Sequence, residues 1–189
     1  MEGFNKLETL RYDRQLGSTV EELNASMTRA LIELPYLPSP YSVIKTALSI
    51  AEPREGELLV DLGCGDGRVL VVAASEYKLY AVGVELNPLL TRLALRECRL
   101  RGVAGRVEVI WGDLFSLDIS RFDVVYCYPS PSVTRRLTLK LINECQNGCR
   151  VLIHDHPLVG VEPVEERLIY TRGPHVHRVY MYVAGISWP

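Results

Sequence analysis

Residues 58–67 read LLVDLGCGDG. Apolar residues around Asp61 spell a buried strand, and the strand runs straight into Gly63, Gly65 and Gly67 at every second position. A helical pattern follows at once, over Arg68–Glu76. Glycines between a strand and a helix let a ligand approach bare backbone. The new helix points its free N-terminal amides at the same place. The stretch therefore predicts a nucleotide-type cradle at the end of a buried strand of an α/β protein. A tight turn that holds no ligand is the competing reading.

The spacing decides which nucleotide. The dinucleotide fingerprint is G-x-G-x-x-G; here the run is G-x-G-x-G, and Arg68 stands where a further glycine would be. Asp61 sits just ahead of the glycines. A carboxylate there repels a pyrophosphate and suits a ligand with a cationic amino group. S-adenosylmethionine carries an ammonium, a sulfonium and no phosphate. The run Asp61, Gly63, Gly65, Gly67 resembles the first motif of the class I S-adenosylmethionine-dependent methyltransferases, D-x-G-x-G-x-G.

Two later strand ends agree. Residues 80–86 (YAVGVEL) form a second buried strand ending in Glu85, whose carboxylate can accept from both hydroxyls of a ribose. Residues 106–113 (RVEVIWGD) form a third. In the resembled families the acid there binds the adenine amino group and its apolar neighbour packs on the ring; Asp113 and Leu114 match. The resemblance thus implies S-adenosylmethionine contacts at Asp61, Gly63, Cys64, Gly65, Gly67, Glu85, Leu86, Asp113 and Leu114. Cys64 is expected to pack there, because methyl transfer needs no thiol. An unpaired Asp at any one of these strand ends would more often be a plain helix cap; it is the three in order that carry the signal.

Composition bounds the rest. A chain of 189 residues, 48% of them hydrophobic, suits one domain with a sizeable core. We expect a single methyltransferase domain over residues 1–189, with an extension at 1–33 and a catalytic core at 34–189. A net charge of −2 gives no general pull on nucleic acid or anionic membrane. Basic residues do cluster between Arg92 and Arg106 and at Arg135, Arg136 and Lys140; both clusters are expected to be solvated helix faces. No apolar run reaches the length of a membrane span and no signal peptide is visible, so the expected setting is the cytoplasm. Five cysteines, an odd number, argue against a disulfide framework. Cys145 and Cys149 lie close enough along the chain to approach one another.

The chain alternates α and β. Residues 19–34 show helical spacing, with Thr19 as cap and Glu22 completing a capping box. The segment LPYLPSPY (34–41) is extended, because Pro35, Pro38 and Pro40 forbid a helix. Helices are expected at 41–51, 88–101 and 132–145, and further strands at 123–128 (DVVYCY), 150–155 (RVLIHD), 167–171 and 177–184 (HRVYMYVA). The sum is a Rossmann-like sheet of seven strands, mostly parallel, with an antiparallel C-terminal edge and helices on both faces. Residues 157–166 are too few for the crossover helix that methyltransferases carry after the fifth strand. That face is expected to be thin, or covered by a partner.

The longer pattern resembles one branch of these enzymes. LPYLPSP followed by a helix, then LLVDLGCGDGR, AVGVELNP, GRVEVIWGDLF and a terminal HRVYMYVAG, occur in this order. Together they look like the small archaeal protein-lysine methyltransferases and their mitochondrial relatives, and more distantly like histone methyltransferases of the same fold. Those families share a Pro-Tyr-x-Pro-Ser/Thr segment; here it is Pro35, Tyr36, Pro38 and Ser39. The first 33 residues exceed the usual archaeal length. The fourth strand ends in Tyr126-Cys127-Tyr128-Pro129-Ser130-Pro131, where base- and amide-modifying enzymes often carry Asn/Asp-Pro-Pro-aromatic.

The resemblance implies methylation of lysine side chains on a protein partner. Tyr36 and Tyr128 are the candidates to line an aromatic channel that lowers the lysine's pKa. His154 and Asp155, ending the fifth strand, are candidates to relay its proton. Tyr126 is expected in the core. The histidine pairs His154/His156 and His175/His177 could each hold a metal from one strand face. The methyltransferase reading needs no metal, and strand-end polar residues are the plainer account, so none is expected. RNA, DNA or a small molecule as acceptor, or a silent interaction module, are the alternatives. The oligomeric state is left open.

Overall fold

The computed structural model describes residues 36–189. The expected helix at 19–34, the extension and Pro35 lie outside the described residues. The elements run α1 (Tyr41–Ala51), β1 (Leu58–Leu62), α2 (Arg68–Glu76), β2 (Tyr80–Glu85), α3 (Pro88–Leu100), β3 (Val107–Trp111), a single 3-10 turn (Leu114–Ser116), β4 (Val124–Cys127), α4 (Thr134–Glu144), β5 (Arg150–His154), β6 (Glu165–Tyr170) and β7 (Val176–Val183). Residues 36–40 are extended, as their prolines require.

The strands form one sheet in the order β3-β2-β1-β4-β5-β7-β6. The first five are parallel. β7 runs antiparallel to both β5 and β6. The chain order reverses between β1 and β4, and in open α/β sheets ligands bind outside the carboxyl ends of the strands at such a switch point. Register sets Asp61 of β1 between Gly83 of β2 and Tyr126 of β4, and Glu85 opposite Trp111.

Strand alternation divides the core into two layers. Leu59, Ala81, Val124, Tyr126 and Leu152 face α1, α2 and α3. Val60, Leu62, Val82, Val125 and Ile153 face α4. On α1 the buried residues Val43, Ile44, Ala47, Leu48 and Ala51 follow helical spacing, and each large one contributes about 1.5–3 kcal/mol by leaving water. The Arg150 guanidinium donates to Ala51 O at the C-terminus of α1 (3.1 Å) and ties that helix to β5.

No helix bridges β5 and β6. The connecting loop closes part of that face itself. Leu158 is buried among Tyr180, Tyr182 and Trp188; its N–H donates to the Tyr182 hydroxyl (3.0 Å), and the Val159 N–H donates to Thr138 Oγ1 (3.0 Å).

Gly83 explains how the glycine turn sits on the sheet. A Cβ at Gly83 would lie 2.6 Å from Cys64 Sγ and 2.6 Å from a Leu70 methyl. The bare backbone of β2 is what lets Cys64 and α2 come down onto it. Gly83→Ala is therefore expected to lower stability by about 1–3 kcal/mol in urea unfolding, the range for overpacking a filled core. An unchanged midpoint would show that the turn can lift without cost.

Candidate functional site

At the carboxyl ends of β1, β2 and β4 lies a cavity of about 770 Å³. Its wall includes residues from the extended segment at 36–39, the glycine turn, Glu85 and Leu86, residues 113–115, and the stretch from Tyr126 to Leu137. The sequence-predicted cofactor residues Asp61, Gly63, Cys64, Gly65, Glu85, Leu86, Asp113 and Leu114 all line it. Gly67 does not; it caps α2 behind the wall, where a Cβ would stand 2.9 Å from Ala94 Cβ.

The turn is held by its own backbone. The Gly63 and Cys64 N–H groups both donate to Val84 O (2.9 and 3.0 Å), and the Gly67 N–H donates to Cys64 O (2.9 Å). All three glycines have positive φ, and nothing lies within 4 Å of where a Cβ on Gly63 would be. Glu85 completes the hold: Oε2 accepts from the Gly65 N–H (2.9 Å) and Oε1 from the Asn87 N–H (2.8 Å). Each oxygen keeps a further lone pair. The Cys64 thiol packs inward against Gly83, so its side chain belongs to the core, and burial pushes it well above the usual thiol range.

Asp61 is buried on the wall. Among the described residues no side chain or backbone group donates a hydrogen bond to it. Burial, then the nearby Glu85 and Asp66 carboxylates, push its carboxyl well above the ordinary range. A carboxyl in this state can pair with a cation or with a hydrogen-bond donor. Asp113 spends Oδ1 on the Phe115 N–H (2.9 Å), the plain cap that its position allows, and its Oδ2 is not used there. Trp111 Nε1 donates to Leu86 O (3.0 Å) and fixes the chain where β2 ends.

Arg68 has a role that the sequence did not disclose. Its guanidinium holds Asp66 through Nε (3.0 Å) and Nη2 (2.7 Å), and Nη1 donates to Ser39 O (3.0 Å). Tyr36 stands beside Asp66 and lies over Gly65, where a Cβ would meet its ring at 2.8 Å. Burial and Asp66 raise the Tyr36 hydroxyl to about 12. One arginine thus fastens the extended segment across the glycine turn. Only the folded chain shows that Ser39 O arrives there.

The acceptor end is a chain of polar groups. Tyr126 is buried, as expected, and its hydroxyl donates to Ser39 Oγ (3.0 Å). Ser39 Oγ lies 3.0 Å from His154 Nδ1, and His154 Nε2 lies 3.0 Å from His177 Nδ1. Tyr128 lines the cavity, stacks on His154 with ring centroids 3.8 Å apart, and donates to Asp155 Oδ2 (2.8 Å). Asp155 adopts φ 60°, and it also accepts from the Arg178 N–H (2.8 Å) and lies 2.9 Å from His175 Nε2. Burial alone would raise its carboxyl; the Arg178 N–H, His175, His154 and Tyr128 outweigh that and hold it at about 2. Burial lowers His154 to about 4, against the pull of Asp155. Neither His154 nor Asp155 is on the cavity wall: both sit behind Tyr128.

The basic clusters separate. Arg92, Arg96 and Arg99 stay on a solvated face of α3. On α4 the expectation fails for Lys140, which is buried and spent on Glu144 (2.7 Å) and Leu117 O. Arg135 and Arg136 stay exposed as expected, and the Arg136 guanidinium covers the Phe115 ring at 3.7 Å at the cavity wall. The five cysteines are free thiols, and Cys145 and Cys149 lie near each other without a disulfide.

Comparison with known proteins fits this geometry. A family model, the ANTKMT methyltransferase domain, matches residues 61–165. This chain belongs to that family. A protein-lysine N-methyltransferase of Saccharolobus islandicus is 37% identical over 153 residues, which are 80% of this chain and 94% of that one. An adenine nucleotide translocase lysine N-methyltransferase of Mus musculus is 32% identical over 158 residues, which are 84% of this chain and 66% of that one. A solved structure of an RNA methyltransferase from Salinibacter ruber with S-adenosyl-L-homocysteine superposes with a TM-score of 0.71 at 35% identity, over 78% of this chain and 93% of that one. The family's matched region opens at Asp61 and includes Glu85 and Asp113.

The Arg68 clamp can be tested directly. Arg68→Ala is expected to speed chymotryptic cleavage after Tyr36 by at least tenfold while leaving hydrogen exchange of the β1 and β2 amides unchanged. Unchanged cleavage would mean that the segment is held by other contacts.

Proposed function

We propose that this chain is an S-adenosylmethionine-dependent methyltransferase that methylates lysine side chains of proteins. The observation that carries the reading is the buried Asp61 carboxylate, without a donor among the described residues, on the wall of a cavity edged by the glycine turn, Glu85 and Asp113. These residues fit the cofactor. Asp61 suits the ammonium, the bare Gly63 leaves room for close approach, and Glu85 keeps lone pairs for ribose hydroxyls. Asp113 with Leu114 suits the adenine. Leu86 and the backbone of Cys64 and Gly65 complete that wall, with Gly67 supporting it from behind.

When bound, the cofactor supplies a methyl group on a sulfonium, which an amine lone pair takes in-line with loss of a neutral thioether. The chain's contribution is placement and exclusion of water. Tyr36 and Tyr128 flank the acceptor, and an apolar, aromatic passage disfavours the charged amine and so releases its lone pair. We assign His154 and Asp155 to holding the Tyr128 ring and hydroxyl in place, since neither lines the cavity and both contact Tyr128. Residues 34–189 form the catalytic unit in this reading. The expected setting is the cytoplasm, in keeping with five free thiols; among the described residues no helix is long and apolar enough to cross a membrane.

RNA is the second reading. The named activity of the Salinibacter neighbour and Arg136 on the cavity wall favour it. Against it stand the net charge of −2, the internally paired Lys140, and a β4 end that reads Tyr-Pro-Ser-Pro without the Asn or Asp of base-modifying enzymes. Incubation with labelled S-adenosylmethionine and an extract of proteins and RNA separates the two. Label is expected in protein bands and is lost when lysines are blocked beforehand. Label confined to RNA would overturn the assignment.

Asp61→Asn offers a second test. Removing a carboxyl whose ionisation is opposed by burial is expected to raise the melting temperature of the unliganded protein by a few degrees at neutral pH, while weakening S-adenosylmethionine binding by at least tenfold in calorimetry. Full binding by the variant would remove Asp61 from the cofactor site.

A further inference from the structure

Behind the Tyr128 wall, β5 and β7 bring together residues that the methyl-transfer reading does not use for chemistry. His154 Nε2, His177 Nδ1 and Asp155 Oδ2 converge from His154 at the end of β5, the residue after it, and His177 near the start of β7. The three atoms stand 3.0, 3.4 and 3.6 Å apart. In a tetrahedral zinc site with bonds of about 2.0–2.1 Å, ligand atoms stand about 3.3 Å apart. The point equidistant from three atoms so spaced lies about 1.9 Å from each in their plane, so an ion at bonding distance sits just above it, as at the apex of a shallow tripod.

The surroundings resemble those of a metal centre. His154 is fully buried, and its other ring nitrogen lies 3.0 Å from Ser39 Oγ, an oxygen partner that orients a ligating imidazole. Asp155 keeps its second oxygen on the Arg178 N–H and its first within reach of the Tyr128 hydroxyl, so its carboxylate is oriented too. It does so from a left-handed backbone conformation, φ 60°. His175 is the nearest further donor: Nε2 lies 2.9 Å from Asp155 Oδ2, outside the group of three converging atoms, and the side chain, 61% exposed, can swing toward them from the entrance to the cluster. The grouping is not the His-x-His pairing that the sequence offers. It crosses between strands, because β5 and β7 are antiparallel neighbours in register His154↔Val179, while His156 turns to the cavity wall.

We propose that His154, His177 and Asp155 bind a divalent cation of the zinc class, with His175 closing the fourth position. Imidazole with one carboxylate suits borderline metals and not magnesium, which demands oxygen ligands in an octahedron. The cation fastens β5 to β7 and, through Asp155 and Ser39, stiffens both walls of the acceptor end.

The test reads the metal and not methyl transfer, so its failure leaves the proposed activity standing. Full-length protein, stripped with chelator, is titrated with Zn²⁺ in calorimetry and in thermal melts, and with Co²⁺ in visible absorption. One equivalent of Zn²⁺ is expected to bind and raise the melting temperature, Mg²⁺ to do neither, and Co²⁺ to give the intense visible band of a four-coordinate site. His177→Gln, which keeps the size and polarity of the side chain, is expected to weaken Zn²⁺ by about 100-fold or more, and the exposed His175→Ala by about tenfold. No stoichiometric Zn²⁺ binding by the wild-type chain, a six-coordinate cobalt spectrum, or binding unchanged in His175→Ala would overturn the proposal. If His177→Gln does not fold, the wild-type cobalt spectrum and His175→Ala decide alone.

Discussion

The rest of the site depends on how the turn after β1 is held to β2. Three consecutive N–H groups, those of Gly63, Cys64 and Gly65, are taken up by Val84 O and the Glu85 carboxylate. With those donors spent, the turn cannot drift, and its open side faces the cavity. The hold works only because β2 presents bare backbone at Gly83, where Cys64 and Leu70 press in. Glu85 therefore has two duties that sequence reasoning would assign to different residues: it fixes the loop and it edges the cavity. Its second oxygen, on the Asn87 N–H, extends the same hold to the start of α3.

A second tie crosses the first. Arg68, the first residue of α2, reaches back to Ser39 O and so lays the proline-rich segment over the glycine turn. Ser39 in turn joins Tyr126 and His154. The extended segment is thus pinned on one side to the cradle and on the other to the strand ends of β4 and β5. This gives the cavity walls of two kinds: a backbone wall with acids at one end, and an aromatic and imidazole wall at the other. Asp61, buried and without a donor among the described residues, lies between them. Desolvating such a carboxyl costs free energy that no group among the described residues returns. Under the proposed function, the ammonium of the cofactor is the partner that compensates it.

Much of this was legible beforehand. Seven strands, their parallel majority, the antiparallel edge and the absent helix after β5 follow from period, length and turn residues. Those signals are local, so one sequence suffices. The three acids were legible because each stands at a strand end, and strand ends in such sheets face the same crevice. Less was legible where partners come from distant segments. Nothing in the sequence tells Lys140, folded onto Glu144 and Leu117 O, from the solvated arginines of α3. Cys64 packs as expected of a thiol that methyl transfer does not need, but only the folded chain shows that Gly83 of β2 is what it packs against.

The sequence by itself determined the sheet, the cradle and the charge placed before it, because these depend on chain-local geometry: period two in strands, glycine at positive φ, an acid at a strand terminus. Only the tertiary structure decided what faces what across the sheet. It joined Arg68 to Ser39, drew Lys140 inward, and crossed His154 with His177 where the spacing had paired each with its near neighbour. The physical reason is that an antiparallel β7 laid against β5 sets residues 23 apart within a hydrogen bond of each other. No spacing rule along one strand contains that contact.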